Sequence, residues 1–182
     1  MSRRPNWPLF AGLAVAVVAA DQVTKALVTG ALRPGESRPV IGDLVRIVFS
    51  QNSGALFGLF KDNAVMFGIV SLGVVGLIIA YHGRTGGSTW MTLTLGLLLG
   101  GAIGNMLDRL LRGYVVDFVD GGIGNVRWYT FNVADAAISL SILLLLAAAV
   151  RPSLADPPRG DTGAAASVPA PEPGPAAPGG DR

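Results

Sequence analysis

Four runs of apolar residues, separated by polar stretches, set the pattern of this chain: 7–28, 64–80, 90–107 and 131–150. Each approaches the roughly 20 residues an α-helix needs to cross a hydrocarbon core, so the pattern predicts four transmembrane helices. The first run also has features of a cleavable leader, with Arg3 and Arg4 ahead of it and Ala14-Val15-Ala16 as a cleavage site. Its apolar pattern continues past those alanines, and further spans follow, which favours a retained helix.

Between the runs lie two polar segments, at about 30–63 and 110–130. In the first, 38–41 and 44–49 read as short strands around Gly42-Asp43, a hairpin turn. Gln51-Asn52-Ser53-Gly54 reads as a turn-forming cluster, and 55–60 as an apolar segment at the membrane interface. In the second, 125–130 alternates as a strand does and is expected to pair with the earlier hairpin. The fold class predicted is a membrane all-α core of four helices, occupying 1–150 with these loops. Residues 151–182 are rich in Ala, Pro and Gly, with few large apolar side chains, and are expected to form a disordered tail.

Successive spans reverse direction. The end of the first run, the loop at 30–63, the end of the third run, the loop at 110–130 and the start of the fourth therefore share one side of the membrane. That side collects Asp21, Lys25, Asn52, Asn105, Asp108, Arg109, Asp117 and Asp135; His82 and the tail fall on the other. Raw charge counts and the Arg3-Arg4 pair beside the first span point to opposite orientations, and the positive-inside rule gives more weight to the latter.

Composition narrows the chemistry. Hydrophobic residues make up 51% of the 182 and charged residues 14%, which marks a membrane protein. A net charge of +2 gives no case for a nucleic-acid partner. The absence of cysteine removes thiol catalysis and thiolate metal sites, and the single His82 leaves nothing from which to build a zinc cluster or a Ser-His-Asp triad. A Ser-Lys dyad would have to come from Ser53 and Lys25. Paired carboxylates are the better hydrolytic apparatus.

Carboxylates inside apolar runs are expensive, about 2.5–3.5 kcal/mol or more at the centre of a bilayer helix, so they mark functional positions. Asp135 heads the fourth run. Asn132, Asp135 and Ser139 share one face of its helix. Asp117 and Asp120 compete as the second carboxylate, and the residues alone do not choose between them. Asp21 and Lys25, spaced i, i+4, read first as an ion pair that lowers the cost of both charges. Gly96, Gly100 and Gly104 form a small-residue face for close helix approach, continued by Asn105, Asp108 and Arg109. The Asn52 amide is suited to holding an extended peptide by its backbone. Two other classes compete: a small proton-coupled carrier, in which the same carboxylates relay protons, and a structural scaffold. A carrier should show related halves, and the chain has no internal repeat; a scaffold leaves Asp135 unexplained.

Five blocks in order resemble the lipoprotein signal peptidase (signal peptidase II) family of bacterial membrane aspartic peptidases. They are Asp21-Gln22-Val23-Thr24-Lys25; Asn52-Ser53-Gly54-Ala55; the segment from Gly100 through Asn105 to Arg109; Val115-Val116-Asp117-Phe118; and Phe131-Asn132-Val133-Ala134-Asp135. The resemblance implies four transmembrane helices with a small extracytoplasmic β-cradle and a short interfacial helix. It implies Asp117 and Asp135 as the catalytic pair. Asn52, Gly54, Asn105, Arg109 and Asn132 become substrate-binding positions, and Asp21, Lys25 and Asp108 supporting ones. It further implies a prolipoprotein substrate with a diacylglyceryl-modified cysteine, contact with membrane lipids, no metal or organic cofactor, and a monomer. The expected location is the bacterial cytoplasmic (inner) membrane, with both termini cytoplasmic and the site facing outward.

Overall fold

A computed structural model of the chain describes residues 4–53, 64–84 and 88–156. In chain order these form α1 (Trp7–Ala31), β1 (Ser37–Ile41), β2 (Val45–Asn52), α2 (Ala64–His82), α3 (Thr89–Arg112), β3 (Val115–Ile123), β4 (Val126–Arg127) and α4 (Val133–Val150), followed by a single 3-10 turn, Pro152–Leu154. Every apolar run of the sequence has become a helix. Three of them, α1, α3 and α4, are long and apolar enough to cross a membrane; the described apolar part of α2, Met66–His82, is shorter. Gly54, Lys61 and the interfacial stretch at 55–60 lie outside the described residues, as does the tail from 157. Residues 152–156, assigned to that tail from composition, instead continue from α4, and Ala155 rests on the helix core.

Local chemistry sets the helix ends. Asn6 caps α1, its side chain accepting from Leu9 N–H at 3.1 Å. Ser88 caps α3 in the same way, and Gly113 ends it in a left-handed conformation (φ 77°) that a side chain would strain. The α3 helix is the hub. Gly96 and Gly100 face α1: a Cβ at Gly100 would stand 2.6 Å from Val17 Cβ and 2.9 Å from Ala14 O. Gly101 faces α4, where a Cβ would stand 2.6 Å from Ala134 O. The small-residue face thus serves two neighbours. Beneath it Phe10, Ala14, Leu95 and Leu99 form the helix core with Val75 and Ile78 of α2. Outward-facing Val15, Leu27, Ile69, Leu77 and Leu143 give the bundle an apolar exterior.

The four strands form one antiparallel sheet in the order β1-β2-β3-β4. Three details differ from the sequence expectation. The strand begun at 44–49 runs on to Asn52, because Ser50, Gln51 and Asn52 pair with Asp117, Val116 and Val115; Gln51 and Asn52 are strand, not turn. The partner, β3, escaped notice because two aspartates and a Gly-Gly pair break its alternation. The strand expected at 125–130 shrinks to Val126–Arg127 and pairs with β3, not with the earlier hairpin. A second buried cluster, with Val28, Leu32, Phe49, Val116 and Phe118, seats the sheet on the end of α1.

Gly101 and Gly73 give a matched test of the packing. Gly101→Ala must push backbone apart and should destabilise the protein by about 1–3 kcal/mol. Gly73→Ala, with nothing within 4 Å of its Cβ, should stabilise α2 by about 0.5–1 kcal/mol. Thermal unfolding in one detergent measures both; equal effects would contradict the close α3–α4 contact.

Candidate active site

Side chains alternate along a strand, so Asp117 and Asp120, three residues apart on β3, leave opposite faces. This places on opposite faces the two candidates that the residues alone left level and that only the family resemblance had ranked. Asp120 enters an ion-pair cluster: Arg46 Nη2 and Arg127 Nη2 each approach its Oδ2 at 3.0 Å. Hydrogen bonds from Arg127, with Arg46 adding to them, hold its carboxyl below the usual carboxylate range. Arg127 also reaches Asp43, and the Asp43 carboxylate takes the Gly124 N–H at 2.7 Å, so the cluster latches the two hairpin turns together.

Asp117 turns toward the helices and is 3% exposed. Among the described residues it meets no cation directly. Asn132 Nδ2 donates to its Oδ1 at 2.7 Å and Asn52 Nδ2 to its Oδ2 at 3.1 Å. Burial pushes Asp117 up to about 7, and the nearby Asp135 carboxylate adds to the rise; the two amide donors and the more distant Lys25 charge hold it back.

Asp135 occupies the third position of α4. Asn132 is the cap: its Oδ1 accepts the Asp135 N–H at 2.9 Å, while Asp135 Oδ2 accepts the Asn132 N–H at 3.2 Å. This reciprocal capping box puts Asn132 just outside the helix rather than on its face, where the i, i+3 spacing had placed it. A backbone N–H can only donate, so the cap fixes the Asn132 amide with its oxygen on the helix and its NH2 on Asp117. One asparagine thereby joins both carboxylates. Asn105 of α3 completes the ring, its Nδ2 donating to Asp135 Oδ1 at 2.7 Å.

Beneath this ring is a fully buried ion cluster. Lys25 Nζ lies 2.7 Å from Asp21 Oδ2 and 2.9 Å from Asp108 Oδ2, and donates to Asn105 Oδ1 at 3.2 Å. Asp21 Oδ1 accepts the Ala134 N–H at 3.0 Å, and Asp108 Oδ2 accepts the Val116 N–H at 3.0 Å. Those two amides belong to the residues just before Asp135 and Asp117. The pair foreseen from i, i+4 spacing is therefore part of a larger support. Gln22, bridging Asp21 and Asp108, and Arg112, paired with Asp108, are members the sequence reading missed. Arg112 was findable, standing four residues after Asp108 on one helix; Gln22 carried no such signal.

Asn52, Arg109, Asp117 and Asp135 open onto one cavity of about 520 Å³, whose wall also includes Trp128 to Phe131 and Ser139. That aromatic wall was also missed, since Trp128 to Thr130 had been given to a strand and Phe131 to the fourth helix. Arg109 donates to Asn105 O at 3.2 Å and lies 6.0 Å from the Phe67 ring centre on α2. Gly54 lies outside the described residues. Among the described residues, no three His or acidic side chains converge as a metal site would require.

The fold is that of an integral membrane enzyme. Two solved structures, described as bacterial membrane enzymes studied by the in meso method at 2.3 and 1.9 Å resolution, superpose with TM-scores of 0.77 and 0.75 at 27% and 29% identity. They cover 88% and 83% of this chain, and 98% of each of theirs. Residues 13–151 match the family described as signal peptidase (SPase) II, and the chain belongs to that family of peptidases. Among similar proteins are lipoprotein signal peptidases of Geobacillus kaustophilus (41% identical over 134 residues, 73% of this chain and 87% of that protein) and Bacillus subtilis (37% over 138 residues, 75% and 90%). The resemblance carried by the five sequence blocks is thus shown at the level of family, and the carrier alternative finds no support among these relatives.

The raised Asp117 carboxyl has a consequence for stability. A folded value of about 7 against an ordinary 3.8 means that the folded state binds the proton more tightly. Stability is therefore greatest below about pH 4 for this group and is lost as pH rises through 7, at up to about 1.4 kcal/mol per unit. Asp117→Asn has no such proton. Its melting temperature relative to the wild type should climb by several degrees between pH 4 and pH 8; a constant difference across that range would refute the shift.

Proposed function

We propose that this chain is an aspartic endopeptidase that removes signal peptides from prolipoproteins bearing a diacylglyceryl-modified cysteine, with Asp117 and Asp135 as its catalytic pair. The observation that carries the reading is the meeting of two carboxylates, the buried Asp117 and the half-buried Asp135, joined through Asn132, on one cavity. The family and the lipoprotein signal peptidases it resembles supply the substrate class. The ionised aspartate takes a proton from water, and the hydroxyl attacks the scissile carbonyl. The protonated partner hydrogen-bonds, then protonates, the carbonyl oxygen as charge develops. Collapse of the tetrahedral intermediate passes a proton to the departing cysteine nitrogen, leaving a carboxyl on the signal peptide and a free amine on the lipoprotein. No metal or organic cofactor takes part.

Arg109 and Asn52, on the cavity wall, are suited to hold peptide carbonyls and amides. The acyl chains would stay in the bilayer, so only the peptide enters the polar site. In this reading the chain crosses the cytoplasmic membrane four times, with α2 as the fourth span. Both termini are cytoplasmic, and the sheet and cavity face outward. In the same reading the protein acts as a monomer.

Asp117→Asn and Asp135→Asn should each lower kcat on a lipidated precursor by about 10²–10⁴-fold, because each leaves one role empty. The double variant should be little worse than either single, since the two act as a unit. Asp120→Asn, measured at equal folded amount, should keep most activity while loosening the sheet. An inactive Asp120→Asn beside a cleaving Asp117→Asn would overturn the choice of pair.

A further inference from the structure

We infer that Lys25 is a positioning residue for the aspartate pair: its ammonium fixes the orientation of the Asn105 amide and thereby turns the Asn105 NH2 onto Asp135. The inference rests on the aspartic-peptidase reading of the site. Lys25 touches neither the cavity nor Asp135. Its side chain is fully buried, fastened to Asp21 at 2.7 Å and Asp108 at 2.9 Å, and its third contact is Asn105 Oδ1 at 3.2 Å.

The reason is donor arithmetic. A primary amide placed between two neighbours can face either way, and its flip is decided by what those neighbours are able to do. An ammonium has three donors and no acceptor, so the atom facing Lys25 must be the Asn105 oxygen. Asn132 Nδ2, itself turned by the helix cap, donates to that same oxygen at 3.2 Å and reinforces the choice. The NH2 is left for Asp135 Oδ1, at 2.7 Å. Each carboxylate therefore receives an amide NH2 whose direction is enforced from behind by an obligate donor: the α4 backbone for Asn132, and Lys25 for Asn105. Both amides favour a carboxylate over a carboxylic acid at their contact, which keeps a proton-accepting group in the pair.

Without the ammonium only the Asn132 donor, at 3.2 Å, still holds that orientation; Asn105 then turns its oxygen to Asp135 more readily, and Asp135 can meet it only when protonated. The charged and titratable groups around Asp135 in that event are Asp117 from β3, Asp21 from α1, and Asp108 and Arg109 from α3. The arms of the test separate amide orientation from loss of charge alone.

The acid limb of the kcat/KM profile on a lipidated precursor is measured for wild type, Lys25→Met, Asn105→Ala and the double variant. Lys25→Met should move the acid limb to higher pH by about one unit, the scale of one hydrogen bond to a charged group. It should lower kcat about tenfold on that limb, with KM changed less than about threefold. In the Asn105→Ala background the same substitution should move the limb no further. An equal shift in both backgrounds would mean that Lys25 acts by charge alone, and no shift in either that it is only structural; both outcomes overturn the inference. If Lys25→Met does not accumulate as folded protein, Lys25→Met/Asp21→Asn, which removes both charges of the pair, takes its place. An arm independent of cleavage uses the folded wild type in detergent. The Asn105 side-chain NH2 proton signal should move as Asp135 titrates and lose that movement in Asp135→Asn, and an insensitive signal would reverse the assigned orientation. Should Asp135→Asn still cleave while this signal responds as expected, the catalytic reading fails and the orientation stands.

Discussion

The buried ammonium of Lys25, held between the carboxylates of Asp21 and Asp108, is the constraint on which the rest of the structure depends. All three side chains are fully buried. Charge burial of this kind contributes little net stability, since desolvation offsets most of the attraction, yet removing one partner is severely destabilising. Its value here is positional. Asp21 and Asp108 each spend one bond on Lys25 and another on a backbone N–H, and those amides immediately precede Asp135 and Asp117. Two membrane helices thus fix the start of a third helix and the course of a strand. The glycines of α3 belong to the same device: a Cβ at Gly104 would stand 2.7 Å from Asp21 Oδ2, so the cluster closes only because that position is bare.

With the backbone so held, the electrostatics of the two carboxylates follow. Asp117 has asparagine amides as partners where Asp120, on the opposite face of the same strand, has two guanidinium groups. Neutral donors satisfy hydrogen bonds without neutralising charge. Burial therefore raises Asp117 to about 7, while cations hold Asp120 low. A strand that alternates its faces has paired one aspartate with cations and left the other able to change charge near neutral pH. Two such groups on one cavity are suited to share a single proton, the condition in which an acid and a base are present together.

The membrane-helix pattern was legible because apolar runs of spanning length have few alternative explanations. The same holds for the cost of a carboxylate at the head of such a run, which singled out Asp135. Asp117 could not be separated from Asp120 by residues alone. The separation needs the strand register, and β3 was hidden because its own aspartates and glycines spoil the alternation that reveals strands. The Asn132–Asp135 capping box was present in the spacing, but the apolar residues beside it drew both into a longer helix. The ion cluster was only half visible: Asp21 and Lys25 are near in sequence, whereas Asp108 joins them through a close approach of α1 and α3 that local patterns do not encode.

The pH dependence of kcat/KM for the wild-type protein, acting on a lipidated prolipoprotein in detergent, bears most directly on a pair that shares one proton. A bell-shaped profile is expected. Its acid limb marks protonation of both aspartates and loss of the base. Its alkaline limb, beginning not far above the value of about 7 at Asp117, marks ionisation of both and loss of the acid. A rate that rises to a plateau and stays there through strongly alkaline pH, with the protein still folded, would contradict a mechanism that requires the shared proton.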